Sequence, residues 1–281
     1  MDEVLLVSLL SDQTIPNVQL INQFISQVDK YLFISTSLME KKKVGTWIVK
    51  ACGCDIKESK PSNIPESFTR HFFDLYVNGK IESQMMLLNL LRHYRGKDKV
   101  LLDNIEGLSA FLDEIQFPQA KNGYLNRLEV KFLTGEWFEE YVSMVLKKEL
   151  ELNDSQLKVG LNISKSNREG IHIPNEMDIL FALKNRLYTI ECKTSLFDGV
   201  LQPNGTTKPK TIMGETLYKI NSLKQGLGLY VNAFLFVLDD LEKFESILKT
   251  HLDRAKLFNI KVIDRKMLTS GNSLSSYLGI F

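Results

Sequence analysis

Two short apolar strands that end in charged residues constrain this chain more than any other stretch of it. The strands are predicted at residues 177–183 and 187–193, and the polar residues 184–186 form the turn between them. Side chains alternate between the two faces of a strand, so Glu191 and Lys193, two residues apart, project from the same face. The chain is therefore predicted to form a hairpin with a carboxylate and an ammonium group on one face.

Asp178 lies in the first of these strands, where pairing of the hairpin brings it beside Glu191 and Lys193. Two carboxylates that converge with one lysine at a sheet edge are the minimum set for metal-assisted phosphodiester hydrolysis. The acids bind Mg²⁺ or Mn²⁺ through oxygen, and the lysine holds the attacking water or neutralises the developing negative charge. The pattern Asp…Glu-x-Lys is loose by itself, because strand pairs that end in charged residues are common.

Length and composition are those of a globular protein with two domains. A chain of 281 residues is long enough for two hydrophobic cores. Its 44% hydrophobic and 25% charged residues are typical of soluble proteins. The formal net charge is only +1, which excludes a basic field over the whole surface. Any nucleic-acid binding would therefore use a local patch.

The sequence predicts a cytoplasmic protein without a membrane partner. The apolar run at residues 4–10 is too short to span a bilayer and lacks the basic region and cleavage site of a signal peptide. Cys52, Cys54 and Cys192 are an odd number of cysteines without a C-x-x-C pair. This argues against disulfides and a structural zinc site, and it fits a reducing compartment.

The first 51 residues have the pattern of a doubly wound α/β sheet. Strands are predicted at residues 4–10 and 31–35, each followed by a polar loop and a helix. Ligands of such sheets bind at the carboxyl ends of the strands, beside helix N-termini that favour phosphate. The polar residues there could equally cap the helices. The candidate ligand-binding residues are Ser11, Asp12, Gln13, Thr14, Ser35 and Thr36.

The middle of the chain is predicted to be helical. Residues 68–77, 80–94 and 104–114 each place apolar side chains at i, i+3 and i+4. Residues 57–65, which precede them, have the composition of a linker. One helix end carries a basic cluster that could contact a phosphate backbone or could be an ordinary solvated helix end. The cluster consists of Arg92, His93, Arg95 and Lys97, with Tyr94 among them.

The last part of the chain alternates helices and strands. A helix is predicted from Gly135 to about residue 150, with Thr134 as its cap and Trp137 and Phe138 on its buried stripe. The elements that follow are a strand at 157–163, the hairpin, a helix at 212–223, a strand at 228–238, a helix at 239–259 and a strand at 260–263. This α-β-β-β-α-β-α-β order is that of restriction-endonuclease-like domains.

Two groups of residues resemble a known family. Residues 6–19, Leu-Val-Ser-Leu-Leu-Ser-Asp-Gln-Thr-Ile-Pro-Asn-Val-Gln, and residues 32–36, Leu-Phe-Ile-Ser-Thr, resemble the sensor of CARF-domain proteins. These are ancillary effectors of type III CRISPR immunity that bind cyclic oligoadenylates. The Gly-x-Trp-Phe-Glu-Glu-Tyr-Val helix at 135–142 and the Asn-Glu-Met-Asp…Ile-Glu-Cys-Lys hairpin resemble the nuclease of the CARF subfamily that couples both domains.

The resemblance implies an α/β protein with an N-terminal Rossmann-like (CARF) sensor, a helical connector and a C-terminal restriction-endonuclease-like, or PD-(D/E)xK, domain. We place these at residues 1–60, 61–133 and 134–281. It also implies a homodimer that is activated by cyclic tetra-adenylate and cleaves DNA or RNA with Mn²⁺ or Mg²⁺ as cofactor. In the sensor, the loops after the first two strands contact the ligand, which matches residues 12–14 and 35–36.

Carried over to this sequence, Asp178 and Glu191 resemble the metal-binding acids and Lys193 the catalytic lysine. The helix-borne glutamate that completes many such sites corresponds to Glu139 or to its neighbour Glu140, because the sequence does not fix the rotation of the helix.

Two further features lie beside the predicted site. Lys219 is on the helix that borders the active-site face in this fold, and it is either a phosphate contact or an ordinary solvated lysine. Residues 196–210, rich in Gly, Pro, Asn and Thr, are predicted to form a mobile loop.

The resemblance to the CARF sensor covers only the first part of that domain. Family sensors continue through several more strands and carry a ligand loop with Gly-Gly-Thr, which is absent from this sequence. One βαβ unit takes about 30 residues, so the N-terminal segment is predicted to be an incomplete CARF domain. Two alternatives follow: a module that binds nucleotide or nucleic acid without catalysis, and a nuclease that cyclic nucleotide does not regulate.

Overall fold

The computed structural model describes residues 55–58, 62–118, 122–154, 156–166, 172–183, 186–198, 210–227 and 231–280. The predicted elements of the first 51 residues lie outside these ranges, as do most of the predicted loop at 196–210 and the centre of the hairpin turn. So do the candidate ligand-binding residues Ser11, Asp12, Gln13, Thr14, Ser35 and Thr36.

The region predicted to be a helical connector contains helices and also a small antiparallel sheet. Its predicted third helix begins later than expected because Gly107, at φ +80°, takes a left-handed conformation that a helix does not continue through. The elements in order are β1 (Asp55–Glu58), α1 (Glu66–Val77), a 3₁₀ turn (Glu82–Gln84), α2 (Met85–Arg92), β2 (Lys99–Leu101), α3 (Leu108–Glu114) and β3 (Tyr124–Asn126), with β2 paired to β3.

The predicted cap at Thr134 is wrong. A five-residue helix, α4 (Arg127–Lys131), and a π-helical turn (Phe132–Glu136) precede the predicted helix, α5 (Trp137–Glu149). The Thr134 hydroxyl donates to the carbonyl of Val130 and accepts from Arg95 Nε, each at 2.7 Å, so it is not available to α5. The cap lies further upstream, where Asn126 and Glu129 form a reciprocal capping box on α4.

The remaining elements follow the predicted order of helix, three strands, helix, strand, helix and strand. A short ribbon at the ends of the predicted loop, β7 with β8, is an addition to that order. The elements are β4 (Leu157–Ser166), β5 (His172–Leu183), β6 (Arg186–Lys193), β7 (Phe197–Asp198), β8 (Lys210–Thr211), α6 (Met213–Leu227), β9 (Val231–Val237), α7 (Glu245–Leu257), β10 (Ile260–Ile263), α8 (Arg265–Leu268) and α9 (Leu274–Tyr277).

Within the described residues, six strands form one mixed sheet in the order β1-β4-β5-β6-β9-β10. The pairs β1–β4, β4–β5 and β5–β6 are antiparallel, whereas β6–β9 and β9–β10 are parallel. Strand β1 corrects the first two residues of the predicted linker at 57–65, because Lys57 and Glu58 pair with Asn162 and Leu161 at the edge of this sheet. A four-residue edge strand is held by main-chain hydrogen bonds and has too little side-chain pattern to be recognised from sequence.

The helices cover both faces of the sheet. On one face, α1 and α5 pack into the main core, where the ring of Phe72 meets Trp137 edge-on at 5.1 Å and Phe73 stacks on Tyr141 at 3.7 Å. On the other face, α6 and α7 pack on β9 through Leu217, Leu235 and Leu248. The helices between residues 66 and 92 therefore share a core with the six-stranded sheet. Within the described residues, none of the helices is long and apolar enough to cross a membrane.

Candidate active site

The carboxyl end of β6 carries a buried carboxylate and a lysine on one face. Glu191 is only 4% exposed, and its neighbours Ile190 and Cys192 point the opposite way into the main core. Lys193 Nζ donates to Glu191 Oε1 at 2.7 Å. Burial alone would lower the pKa of Lys193, but the negative charges of Asp178 and Glu191 outweigh it and raise that pKa. Lys193 is therefore a protonated donor rather than a base.

Asp178 lies where β5 and β6 separate. Ile179 pairs with Ile190 next to the site, and one residue further along β5 Asp178 Oδ2 accepts the backbone N–H of Cys192 at 2.7 Å. The same oxygen is 4.0 Å from Lys193 Nζ. Burial, followed by the charge of Glu191, raises the pKa of the Asp178 carboxyl. The structure thus brings together the three residues that the hairpin pattern selects.

Lys219 reaches the site from the next helix, α6. Its Nζ lies 2.8 Å from both Oε1 and Oε2 of Glu191, and the side chain is 28% exposed. The interpretation of Lys219 as an ordinary solvated lysine is therefore wrong. Two lysines, Lys193 and Lys219, therefore pair with the buried side chain of Glu191.

Helix α5 supplies a third carboxylate. The rotation of the helix decides which of the two candidates, Glu139 or Glu140, lies beside the site. The pKa of Glu139 is raised well above its ordinary value by burial first and then by the negative charge of Asp178, so Glu139 faces the cluster. Glu140 instead hydrogen-bonds to Ser62, and burial raises its pKa as well. Packing of Trp137, Phe138 and Val142 into the core sets this rotation.

The donor chemistry of the cluster fits a hard divalent cation. Mg²⁺ is commonly bound through one or two carboxylates, with water and substrate phosphate completing its shell, and Asp178 and Glu191 provide those two. Among the described residues, no group of three or more His, Cys, Asp or Glu side chains is arranged to hold a metal ion without such help. Burial raises the pKa of the Cys192 thiol, so it is not a thiolate ligand or nucleophile.

Two members of the predicted basic cluster hydrogen-bond to distant parts of the fold while remaining exposed to solvent. Arg95 binds Thr134, and Arg92 Nη2 donates to the Thr194 hydroxyl at 3.2 Å, one residue after Lys193. Both arginines keep the exposure expected of a solvated helix end, and a phosphate contact stays a prediction. Tyr76, which the sequence pattern did not single out, also contacts Thr194. Long-range hydrogen bonds of this kind leave no local signal in a sequence.

The fold and the site define a restriction-endonuclease-like α/β domain with a nuclease-type acidic cluster. Comparison with known families matches residues 5–90 to the Card1 CARF domain and residues 126–269 to the Card1-like endonuclease domain. The chain belongs to the Card1-like endonucleases, CARF-domain nucleases of type III CRISPR systems.

Two solved structures share the fold. Protein VC1899 from Vibrio cholerae is 20% identical with a TM-score of 0.56, over 82% of this chain and 60% of its own. Can2 from Sulfobacillus thermosulfidooxidans, solved in complex with cyclic tetra-adenylate, is 21% identical with a TM-score of 0.51, over 83% of this chain and 59% of its own. This chain thus spans about three fifths of each relative's length. No curated protein matches it.

Proposed function

We propose that this protein is a Mg²⁺- or Mn²⁺-dependent nuclease of type III CRISPR defence that cleaves single-stranded DNA or RNA, or nicks duplex DNA, when cyclic tetra-adenylate binds. The observation that carries the proposal is the convergence of Asp178, Glu191 and Lys193 at the carboxyl end of β6. Asp178 and Glu191 would hold the cation. A bound Mg²⁺ or Mn²⁺ would supply Lewis-acid polarisation of the phosphodiester and a more acidic water.

The protein's own groups provide charge and orientation. Lys193 stays protonated, so its ammonium can donate to the negative charge that develops on the phosphate. Lys219 can take the same role once a cation shares the Glu191 carboxylate, which would make it a phosphate contact. A cation held by the other two acids would favour the ionised form of Glu139, whose pKa is raised by burial and by the charge of Asp178.

Regulation is proposed from the CARF match at residues 5–90 and from the ligand in the Can2 structure. The candidate contacts are the loops after the first two predicted strands. A two-fold cyclic ligand suits an isologous homodimer, and its higher affinity for one arrangement of the dimer would shift the population toward the active state.

The direct test is cleavage of labelled single-stranded DNA, single-stranded RNA and supercoiled plasmid with Mn²⁺ or Mg²⁺, against the same reactions with a chelator. Metal-dependent cleavage of any of the three supports the nuclease. If the protein bound these substrates but left them intact under every condition, the binding module would be the better account.

Substitutions of the neighbouring residues Glu139 and Glu140 can be compared directly, because only Glu139 faces the cluster. We expect Glu139→Gln to lower the cleavage rate by about 10- to 100-fold, as loss of a supporting carboxylate does at other metal sites. Glu140→Gln should cleave within about twofold of wild type, because Glu140 faces Ser62. Initial rates at saturating metal measure both. If the cleavage rate fell equally in the two variants, the total negative charge on α5, rather than contact of Glu139 with the site, would determine the rate.

The Lys219→Met variant tests whether Lys219 competes with a metal ion for the Glu191 carboxylate or only stabilises the fold. Lys219 contacts both oxygens of the Glu191 carboxylate that would hold the cation, so removing the ammonium should tighten Mn²⁺ binding by about tenfold, in line with one charge-assisted hydrogen bond. The metal-free variant should also unfold more easily, by about 1–2 kcal/mol. Calorimetric titration and thermal melts measure the two effects. Weaker metal binding in Lys219→Met would refute competition.

A further inference from the structure

The segment that follows Lys193 is fixed at successive positions by groups from elsewhere in the fold. We call residues 194–196 the exit segment. The backbone N–H of Leu238 donates to the Lys193 carbonyl at 3.2 Å, and Leu196 N–H donates to Asp239 Oδ2 at 2.5 Å. The Ser195 side chain also hydrogen-bonds to Asp239. These bonds tie the exit segment to the carboxyl end of β9.

Thr194, the first residue of the exit segment, is also held by side chains from α1 and α2. The Tyr76 hydroxyl donates to the Thr194 carbonyl at 3.2 Å, and Arg92 Nη2 donates to the Thr194 hydroxyl at 3.2 Å. The two contacts use different atoms of one residue, and they come from side chains more than 100 positions earlier in the chain.

The Tyr76 hydroxyl acts as a hydrogen-bond donor to the Thr194 carbonyl. Burial, followed by the charge of Asp239, raises the pKa of Tyr76 to about 12, so its hydroxyl keeps its proton at physiological pH. The Tyr76 side chain is half-buried, and its hydroxyl finds a hydrogen-bond partner in the Thr194 carbonyl. The Arg265 side chain donates to the Val77 carbonyl, and Phe72 packs on Trp137, so the C-terminal turn of α1 is anchored to the nuclease domain.

We propose that Tyr76 and Arg92 are positioning residues that act through Thr194 to place the ammonium of Lys193 between Glu191 and Asp178. The proposal rests on the nuclease function proposed above. A catalytic group displaced by about 1 Å can lose about 100-fold in rate, so the backbone beside Lys193 has to be fixed. Tyr76 lies within the part of the chain that matches the CARF domain, and its hydroxyl contacts the residue that follows Lys193.

Two nearly isosteric variants test the two contacts separately. Tyr76→Phe removes the bond to the Thr194 carbonyl, and Thr194→Val removes the bond to Arg92. Each should lower kcat by about tenfold and leave KM for the nucleic acid within about twofold, since neither residue binds substrate. Arg92→Met combined with Thr194→Val should be no slower than Arg92→Met alone, because both changes break one contact.

Tyr277→Phe is the matched control. Its hydroxyl bonds to Ser270 and Asn272 at the surface of the C-terminal region, away from the exit segment. Hydrogen exchange of the Leu196 amide, measured without substrate, gives a second readout that does not need activity: it should be faster in Tyr76→Phe and unchanged in Tyr277→Phe.

The outcomes separate the positioning proposal from the nuclease function. If wild type cleaves and both Tyr76→Phe and Thr194→Val keep its kcat, the positioning proposal is overturned and the nuclease stands. If wild type does not cleave, the nuclease function fails, and the exchange measurement decides whether Tyr76 fixes the exit segment. Faster exchange at Leu196 in Tyr76→Phe supports the contact, whereas wild-type exchange rules it out.

Discussion

Lys193→Met is expected to lower the rate of nucleic-acid cleavage by about 10³-fold, the effect of removing one preorganised charge from a buried site. Methionine keeps the length and packing of the lysine stem but has no ammonium to offer the developing charge. Glu191 retains Lys219 as a partner at 2.8 Å, so the variant should remain folded. The rate is measured on labelled single strands, with a thermal melt to establish folding.

Lys224→Met is the control for this change. Lys224 lies on α6, five positions after Lys219, and its Nζ bonds to the carbonyls of Phe258 and Asn259 rather than to a carboxylate. It should cleave at close to the wild-type rate. A folded Lys193→Met protein that cleaved as fast as Lys224→Met would show that the lysine has no role in the reaction.

Glu191→Gln is expected to abolish binding of Mn²⁺ and to lower cleavage by about 10³-fold or more. The amide matches the carboxylate in shape but carries no charge, and Lys193 and Lys219 would then face a neutral group and repel a cation. Calorimetric titration with Mn²⁺ measures binding, and the labelled-strand assay measures cleavage.

Removing a buried charge can also destabilise the fold, so Asp178→Asn is the companion variant. It keeps Glu191 and both lysines and removes the other proposed ligand. Both variants should lose metal binding, even though their ionic environments differ. If either one bound Mn²⁺ with wild-type affinity while remaining folded, its acid could not be a metal ligand.

Local pattern was enough to find much of the catalytic sheet. The two-residue period of a strand places Glu191 and Lys193 together, and the polar turn pairs the strand that carries Asp178 with it. The helix and strand order of the last 148 residues follows from alternating apolar runs, and the last strand was predicted with the bounds it has, Ile260–Ile263. Each of these features depends on residues that are close together in the sequence.

Features that depend on contacts between residues far apart in the sequence could not be predicted. The choice between Glu139 and Glu140 depends on how Trp137 and Phe138 enter the core. The pairing of Lys219 with Glu191 depends on where α6 crosses the sheet. Strand β1 exists only because β4, about 100 residues later, offers it an edge. The capping box of Asn126 and Glu129 did have a local signal, but it caps a helix of only five residues.

The central claim is a metal-dependent active site under the control of a cyclic nucleotide. The measurement that tests it most directly is cleavage of labelled single-stranded DNA and RNA with Mn²⁺, with and without cyclic tetra-adenylate, beside Glu191→Gln. We predict cleavage by the wild-type protein only when metal and cyclic nucleotide are both present, and none by the variant. Cleavage that needs metal but is indifferent to the nucleotide would contradict the proposed regulation, and cleavage by Glu191→Gln at the wild-type rate would contradict the active site.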